Sequence, residues 1–366
     1  MEVEDLSREI ISDKQAMILV TVFLIGSTFV IGTAGQAEND MWISIILGML
    51  MTIPVYFVYA RILSLFPGKG IFEILEQAFG KSGGKAIGLL YIWFVFHLGA
   101  LVLRNFGEFI NVLALTETPM IVPMIMFILL CIWGVKLGIE VLARWAELFV
   151  IVLYIVLIAF SFLVIPEMKF ENIRPVLYNG IAPVVSGALS AFAFPFAETV
   201  VLLCVFDSLK ETKSSYKAYF GGLLIGGTSI LFVSIRNILV LGVNELNTLY
   251  FPSYIAISRI DIGTFLQRLE VSVSMIFLIG IFIKISLCLL ATSIGVAGIF
   301  KLKDYRKIVT PIGLLMLNLS YLVYDNTMEM FQWVARFWVY YAFPFQVILP
   351  IVIWIVCEYK SRAVNR

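Results

Sequence analysis

The chain has 366 residues, of which 61% are hydrophobic and 14% charged, with a mean hydropathy of +0.99. That leaves too little polar surface to cover a soluble globule of this length, which excludes soluble enzymes and nucleic-acid-binding domains and indicates a polytopic, all-α membrane protein. The net charge of +1 says little about partners, because in a membrane protein the placement of Lys and Arg about the spans matters more than their sum.

Ten apolar stretches reach spanning length, at residues 15–35, 41–65, 86–115, 120–137, 145–165, 182–206, 218–243, 271–297, 308–324 and 333–357. The first follows Glu2, Glu4, Asp5, Glu9 and Asp13, an acidic flank unlike that of a cleaved signal peptide, so it is expected to stay as a helix. It carries Gly26, Ser27, Thr28, Gly32 and Gly35, and the expected midpoint break is at Gly26 to Thr28. The sixth carries Gly187, Pro195 and Glu198, and a second break is expected at Pro195. In lipid, broken backbone is tolerated only where it faces protein or a water-filled cavity. Paired breaks in corresponding halves point to a binding site near the midplane.

Most of the 26 basic residues fall at the amino terminus, in the loops after spans two, four, six and eight, and in the carboxyl tail, which predicts both termini in the cytoplasm. An even number of spans permits two halves of opposite topology within one domain of residues 1–366, the first repeat at 15–165 and the second at 182–358. Long loops follow spans two and seven. Each contains an amphipathic stretch, with Ile71, Ile74, Leu75 and Phe79 in one and Ile255, Ile257, Ile262, Phe265, Leu266 and Leu269 in the other. Such stretches are expected to dock as helices. No repeat is visible in the primary sequence itself.

An unwound Gly26 to Thr28 and a half-helix starting near Phe196 would present free amides and the positive ends of helix dipoles to a carboxylate or other polar group. The alternative is that the glycines allow close helix packing and Pro195 makes a kink. The candidate ligand-binding set is Gly26, Ser27, Thr28, Phe192, Phe194, Pro195 and Glu198. Ionisable residues within spans are costly and face the protein interior. Glu198 is a candidate for amine contact, a proton step or a gate, or else a partner for Arg236 or Lys284. His97, Arg104 and Glu108 share one face of span three; Arg104 and Glu108 are spaced to pair, and with Lys284 this set gives the coupling or gating candidates. The Gly221, Gly222, Gly226, Gly227 run in span seven suits close packing or a pore lining. Seven tryptophans mostly mark span ends. Cys131, Cys204, Cys288 and Cys357 lack metal or disulfide spacing, and with one histidine no metal site or cofactor is expected. No P-loop, HExxH or GxSxG occurs, so no enzyme activity is expected.

Several segments carry a family resemblance: ISDKQ at 11–15, IGS at 25–27, DMWI at 40–43, FPGK at 66–69, GLLYIW at 88–93, the 97–108 stretch, ETP at 117–119, NIRPVL at 172–177 and FLQRLE at 265–270. Together they resemble the spore germination permease family, the B subunits of nutrient germinant receptors, over nearly the whole chain. The resemblance implies membership of the amino acid, polyamine and organocation transporter superfamily, with a LeuT-type fold of five plus five inverted spans and broken helices one and six. It also implies an amino acid or other small nutrient as ligand, an A subunit and a lipoprotein C subunit as partners, and the spore inner membrane as location. A proton-coupled amino acid transporter is the main alternative, and an ion or water conduit a third.

Overall fold

The computed structural model describes residues 9–209, 213–260 and 269–364. Among these every regular element is helical. In chain order they are α1 (Asp13–Ile31), α2 (Met41–Leu65), α3 (Ile71–Leu113), α4 (Ile121–Lys136), α5 (Ile139–Leu163), α6 (Ile181–Ala191), α7 (Ser214–Leu241), α8 (Val243–Leu246), α9 (Pro252–Ser258), α10 (Glu270–Phe300), α11 (Arg306–Leu322), α12 (Thr327–Arg336), α13 (Trp338–Phe343) and α14 (Leu349–Val364). A wide turn at Phe192–Phe196 and a tight helix at Ala197–Cys204 continue α6.

Eight helices among the described residues are long and apolar enough to cross a membrane, or nine when α11 and α12, bent by 96°, count as one; α4, with 16 residues, is apolar but shorter. Each of the ten expected spans falls on one of these helices. The tenth starts later than expected, because Trp333 belongs to the bent-over α12 and the spanning stretch begins at Trp338.

The span-one and span-six helices are the most deeply buried, whereas α5 and the Trp338–Arg362 helix are mostly at the periphery. α1 packs on α7, α10 and α5, and α3 packs along α10. Small residues set these distances, as expected where lipid supplies no hydrophobic drive between helices. A Cβ on Gly26 would lie 2.7 Å from the Gly280 carbonyl oxygen, and one on Gly222 would lie 2.4 Å from Val20. The glycine run of span seven faces Met17, Val20, Leu24 and Met49, so it is a packing stripe and not a pore lining.

Both chain ends lie on one face of the bundle. The Ile11 amide donates to the Ser208 carbonyl, Ser215 donates to the Ala60 carbonyl, and Arg61 pairs with Glu358 at 2.6 Å. The first amphipathic stretch docks as the start of α3, with Ile71, Ile74 and Leu75 buried ahead of a kink at Gly80, where φ is +74°. In the second, Ile257 is buried on α9. Ile262, Phe265 and Leu266 lie outside the described residues, as does most of the 265–270 motif.

Candidate functional site

Span six is broken where expected. Phe194 adopts φ −141° and ψ 114° between helical neighbours, and Pro195 has no N–H to restore the ladder. The freed carbonyls are each captured. Ala193 accepts from Trp338 Nε1 at 3.1 Å and Gln346 Nε2 at 3.0 Å, Phe194 from Thr33 at 2.8 Å, Phe196 from Tyr56 at 3.0 Å, and Ala197 from Tyr59 at 3.3 Å. Of the amides on the half-helix starting near Phe196, which were expected to be free for an anion, that of Ala197 donates to the Phe192 carbonyl. Side chains from the end of span one, from α2 and from the last span thus hold the break open.

Span one differs from its expected form. Gly26, Ser27 and Thr28 lie inside an uninterrupted α1, which starts at a capping box formed by Ser12 and Gln15. Gly26 meets Gly280, and the Thr28 hydroxyl donates to the Leu24 carbonyl at 2.8 Å, so no backbone group there is released. The helix ends instead at Gly32, with φ +78°, and Ala34 follows in the left-handed region at φ 60° before a tight turn at Gly35–Asp40 leads into α2. The interruption therefore lies at residues 32–34. Close packing against α10 keeps Gly26 to Thr28 helical.

At the core of these elements sits an ion pair. Lys284 of α10 donates to Glu198 Oε2 at 2.5 Å and to the Ser27 hydroxyl at 3.2 Å; both charged side chains are buried. The ammonium also lies 4.9 Å from the Phe23 ring centroid and 5.1 Å from that of Phe194. One contact set therefore joins spans one, six and eight. Glu198 takes Lys284, not Arg236, as partner; the Arg236 guanidinium bonds Asn237 Oδ1 at 3.0 Å.

A cavity of about 390 Å³ stands over this pair. Glu198 and Phe194 line it together with Gly32 to Gln36, Asn105 of α3, Asn237 of α7, Tyr324 beyond α11 and Trp338 of the last span. Its walls are the ends of the spans opposite the termini, so it faces away from them. Asn237 is oriented by Arg236 on one side and by Ser253, at 2.9 Å, on the other. The Tyr324 hydroxyl is buried and has no hydrogen-bond partner among the described residues. Glu198 is the sole carboxylate among the lining residues and is already neutralised, so an entering molecule meets mostly aliphatic and aromatic side chains, with a few amide and hydroxyl groups, over a net-neutral floor.

The termini face below is closed by the segment ahead of α1. Glu9 pairs with Arg306 and accepts the Ile139 amide at 2.7 Å, over a Gly138 whose Cβ would collide with it. Asp13 holds Lys217 at 2.6 Å, and Lys14 holds Glu147 at 2.5 Å. Burial, followed by the neighbouring Glu9, holds the Tyr305 phenol well above its ordinary pKa.

Of the seven binding candidates, Phe194 and Glu198 line the cavity, and Ser27 touches its floor through Lys284. Gly26, Thr28, Phe192 and Pro195 are buried outside it. Arg104 pairs with Glu108 at 2.7 Å, and the two reach the Tyr321 carbonyl at 2.9 Å and the Thr327 hydroxyl at 2.6 Å, tying α3 to the bend between α11 and α12. His97 stacks on Trp93 and packs edge-on to Tyr341, outside the cavity. Asn105, Asn237, Tyr324 and Trp338 were not legible as site residues. Single polar groups in apolar helices carry no spacing signal, and Trp338 resembles an interfacial anchor. The GTAG run at 32–35 did mark the true break.

The sequence model described as spore germination protein matches residues 10–328. The chain is 31% identical over 360 residues to spore germination protein KB of Bacillus subtilis (strain 168), covering 96% of this chain and 95% of that protein. It is 25% identical over 328 residues to the putative spore germination protein YfkT of the same organism, with 89% of each covered. Among solved structures it is similar to Mhp1, a nucleobase-cation-symport-1 family transporter in a closed conformation with bromovinylhydantoin bound, with a TM-score of 0.70 over 90% of this chain and 75% of that one at 13% identity. The fold is therefore of the LeuT type, and by sequence the chain belongs to the spore germination protein family.

Proposed function

We propose that this chain is the membrane subunit of a spore nutrient germinant receptor, binding an amino acid or other small nutrient in the cavity above Glu198 and Lys284 and signalling through an A subunit and a lipoprotein C subunit. In this reading the termini face is cytoplasmic, the membrane is the spore inner membrane, and residues 15–165 and 182–358 are the two inverted repeats.

The observation that carries it is the joining of spans one, six and eight by the buried Glu198–Lys284–Ser27 contact, directly beneath a largely apolar cavity whose few polar wall groups are neutral. A small zwitterionic or uncharged nutrient needs no extra counter-ion there. A ligand drives a switch only by binding one conformation better, and about 1 to 3 kcal/mol of coupling is typical. Contact with Phe194 or Glu198 acts on all three spans at once, which gives a ligand that leverage. His97 and the Arg104–Glu108 pair then serve as supports for the moving parts.

A proton-coupled amino acid transporter is the second reading, favoured by the buried Glu198 carboxylate at the cavity floor. Proteoliposomes containing this chain alone separate the two. The receptor reading expects saturable binding of a nutrient without accumulation under proton or sodium gradients. Gradient-driven accumulation abolished by Glu198→Gln would make the protein a transporter.

A further inference from the structure

A second concavity lies on the flank of the bundle, away from the nutrient cavity, between α3, α4, α5 and α10. Its volume is about 530 Å³ and every residue lining it is apolar. Phe106 stacks on Phe127 with centroids 4.1 Å apart, and Trp145 on Phe149 at 5.1 Å, so its walls are built of paired rings. Leu130, Trp133 and Trp145 are exposed along it.

We propose that this groove holds one acyl chain of an anionic phospholipid, with the headgroup at Lys136 and Arg144. The groove follows α4 from Pro123 to Leu137, about 21 Å at 1.5 Å per residue, which exceeds the roughly 15 Å of hydrocarbon in one leaflet. Trp133 and Trp145 stand at its termini-side end, where aromatic rings meet headgroups. Lys136 closes α4 at that end, and Arg144 is exposed one turn into α5 with only a loose 3.6 Å contact to Glu140. Two cations at the mouth of an apolar slot match an anionic headgroup on an acyl tail. A neighbouring transmembrane helix fits less well, since such contacts use small residues and Gly134, the one glycine in the lining, is covered by Phe282. At 16 residues α4 is also shorter than the bilayer core, so the lipid beside it must adapt. Phe282 lies two residues from Lys284 on α10, so a tail in the groove presses on the helix that carries the ion pair.

Native mass spectrometry of the full chain, released from micelles doped with phosphatidylglycerol or phosphatidylcholine, tests this. The expected result is one retained phosphatidylglycerol, weakened about fivefold by Lys136→Ala or Arg144→Ala alone and roughly 25-fold by both. Leu130→Trp, at an exposed position, fills the slot and removes retention while leaving the thermal unfolding midpoint unchanged. Equal retention of both lipids, or retention unaffected by Leu130→Trp, would overturn the proposal, as would a co-purifying membrane protein occupying the groove in place of lipid.

Discussion

Spans one and six read alike in sequence, each an apolar stretch with helix-breaking residues at its midpoint, yet they differ in the folded chain. Span six breaks at Phe194, and five side chains from three other regions secure its carbonyls. Span one stays helical through Gly26 to Thr28 and breaks only at Gly32. The difference lies in what stands opposite. Pro195 cannot donate, so its break is covalent in origin and the surroundings are built to receive it. Gly26 keeps its N–H, and another backbone lies across from it. In a membrane a glycine is as much a packing device as a hinge.

The largest effect should come from the contact that joins the two spans. Lys284→Met leaves Glu198 buried without a partner and should destabilise the fold by about 3 to 5 kcal/mol, whereas Glu198→Gln with Lys284→Met should recover most of that loss. Thermal unfolding in detergent reads both. If the double variant is as damaged as the single, Lys284 has a role beyond charge pairing.

Next is the packing claim for span one. Gly26→Ala places a Cβ against the Gly280 carbonyl and should cost roughly 1 to 3 kcal/mol, and Gly280→Ala should cost the same for the same reason. A hinge role for Gly26 would leave Gly280→Ala harmless.

A smaller loss is expected at the span-six break. Gln346→Leu takes one of two donors from the Ala193 carbonyl and should cost about 1 kcal/mol while weakening ligand binding, since Phe194 is the next residue. The last comparison, which includes the smallest effect, separates two threonines. Thr33→Val leaves the Phe194 carbonyl unbonded and should cost about 1 to 2 kcal/mol, while Thr28→Val removes only a bond within α1 and should change stability by less than about 1 kcal/mol with nutrient binding unchanged.

Fold class, the ten helical stretches and the break at Pro195 were legible because they rest on hydropathy and on proline, both local properties. The pairing of Glu198 with Lys284 was legible only as one of two choices, since distance between helices is not written in either segment. Gly26 was ambiguous for the same reason: its meaning depends on Gly280, some 250 residues away in sequence. The cavity walls were least legible, because Asn105, Asn237 and Tyr324 are isolated polar residues brought together only by tertiary packing.

The most direct test of the account is alkylation by a membrane-impermeant maleimide of two variants that each add one cysteine, Asn105→Cys and Thr28→Cys, with and without the nutrient that the binding assay identifies. The four native cysteines are buried and give a low background. The account predicts that Asn105→Cys labels and that ligand slows it, while Thr28→Cys stays unlabelled. Labelling at Thr28→Cys with ligand protection there, and none at Asn105→Cys, would move the site to the middle of span one and contradict the cavity as the place where nutrient binds.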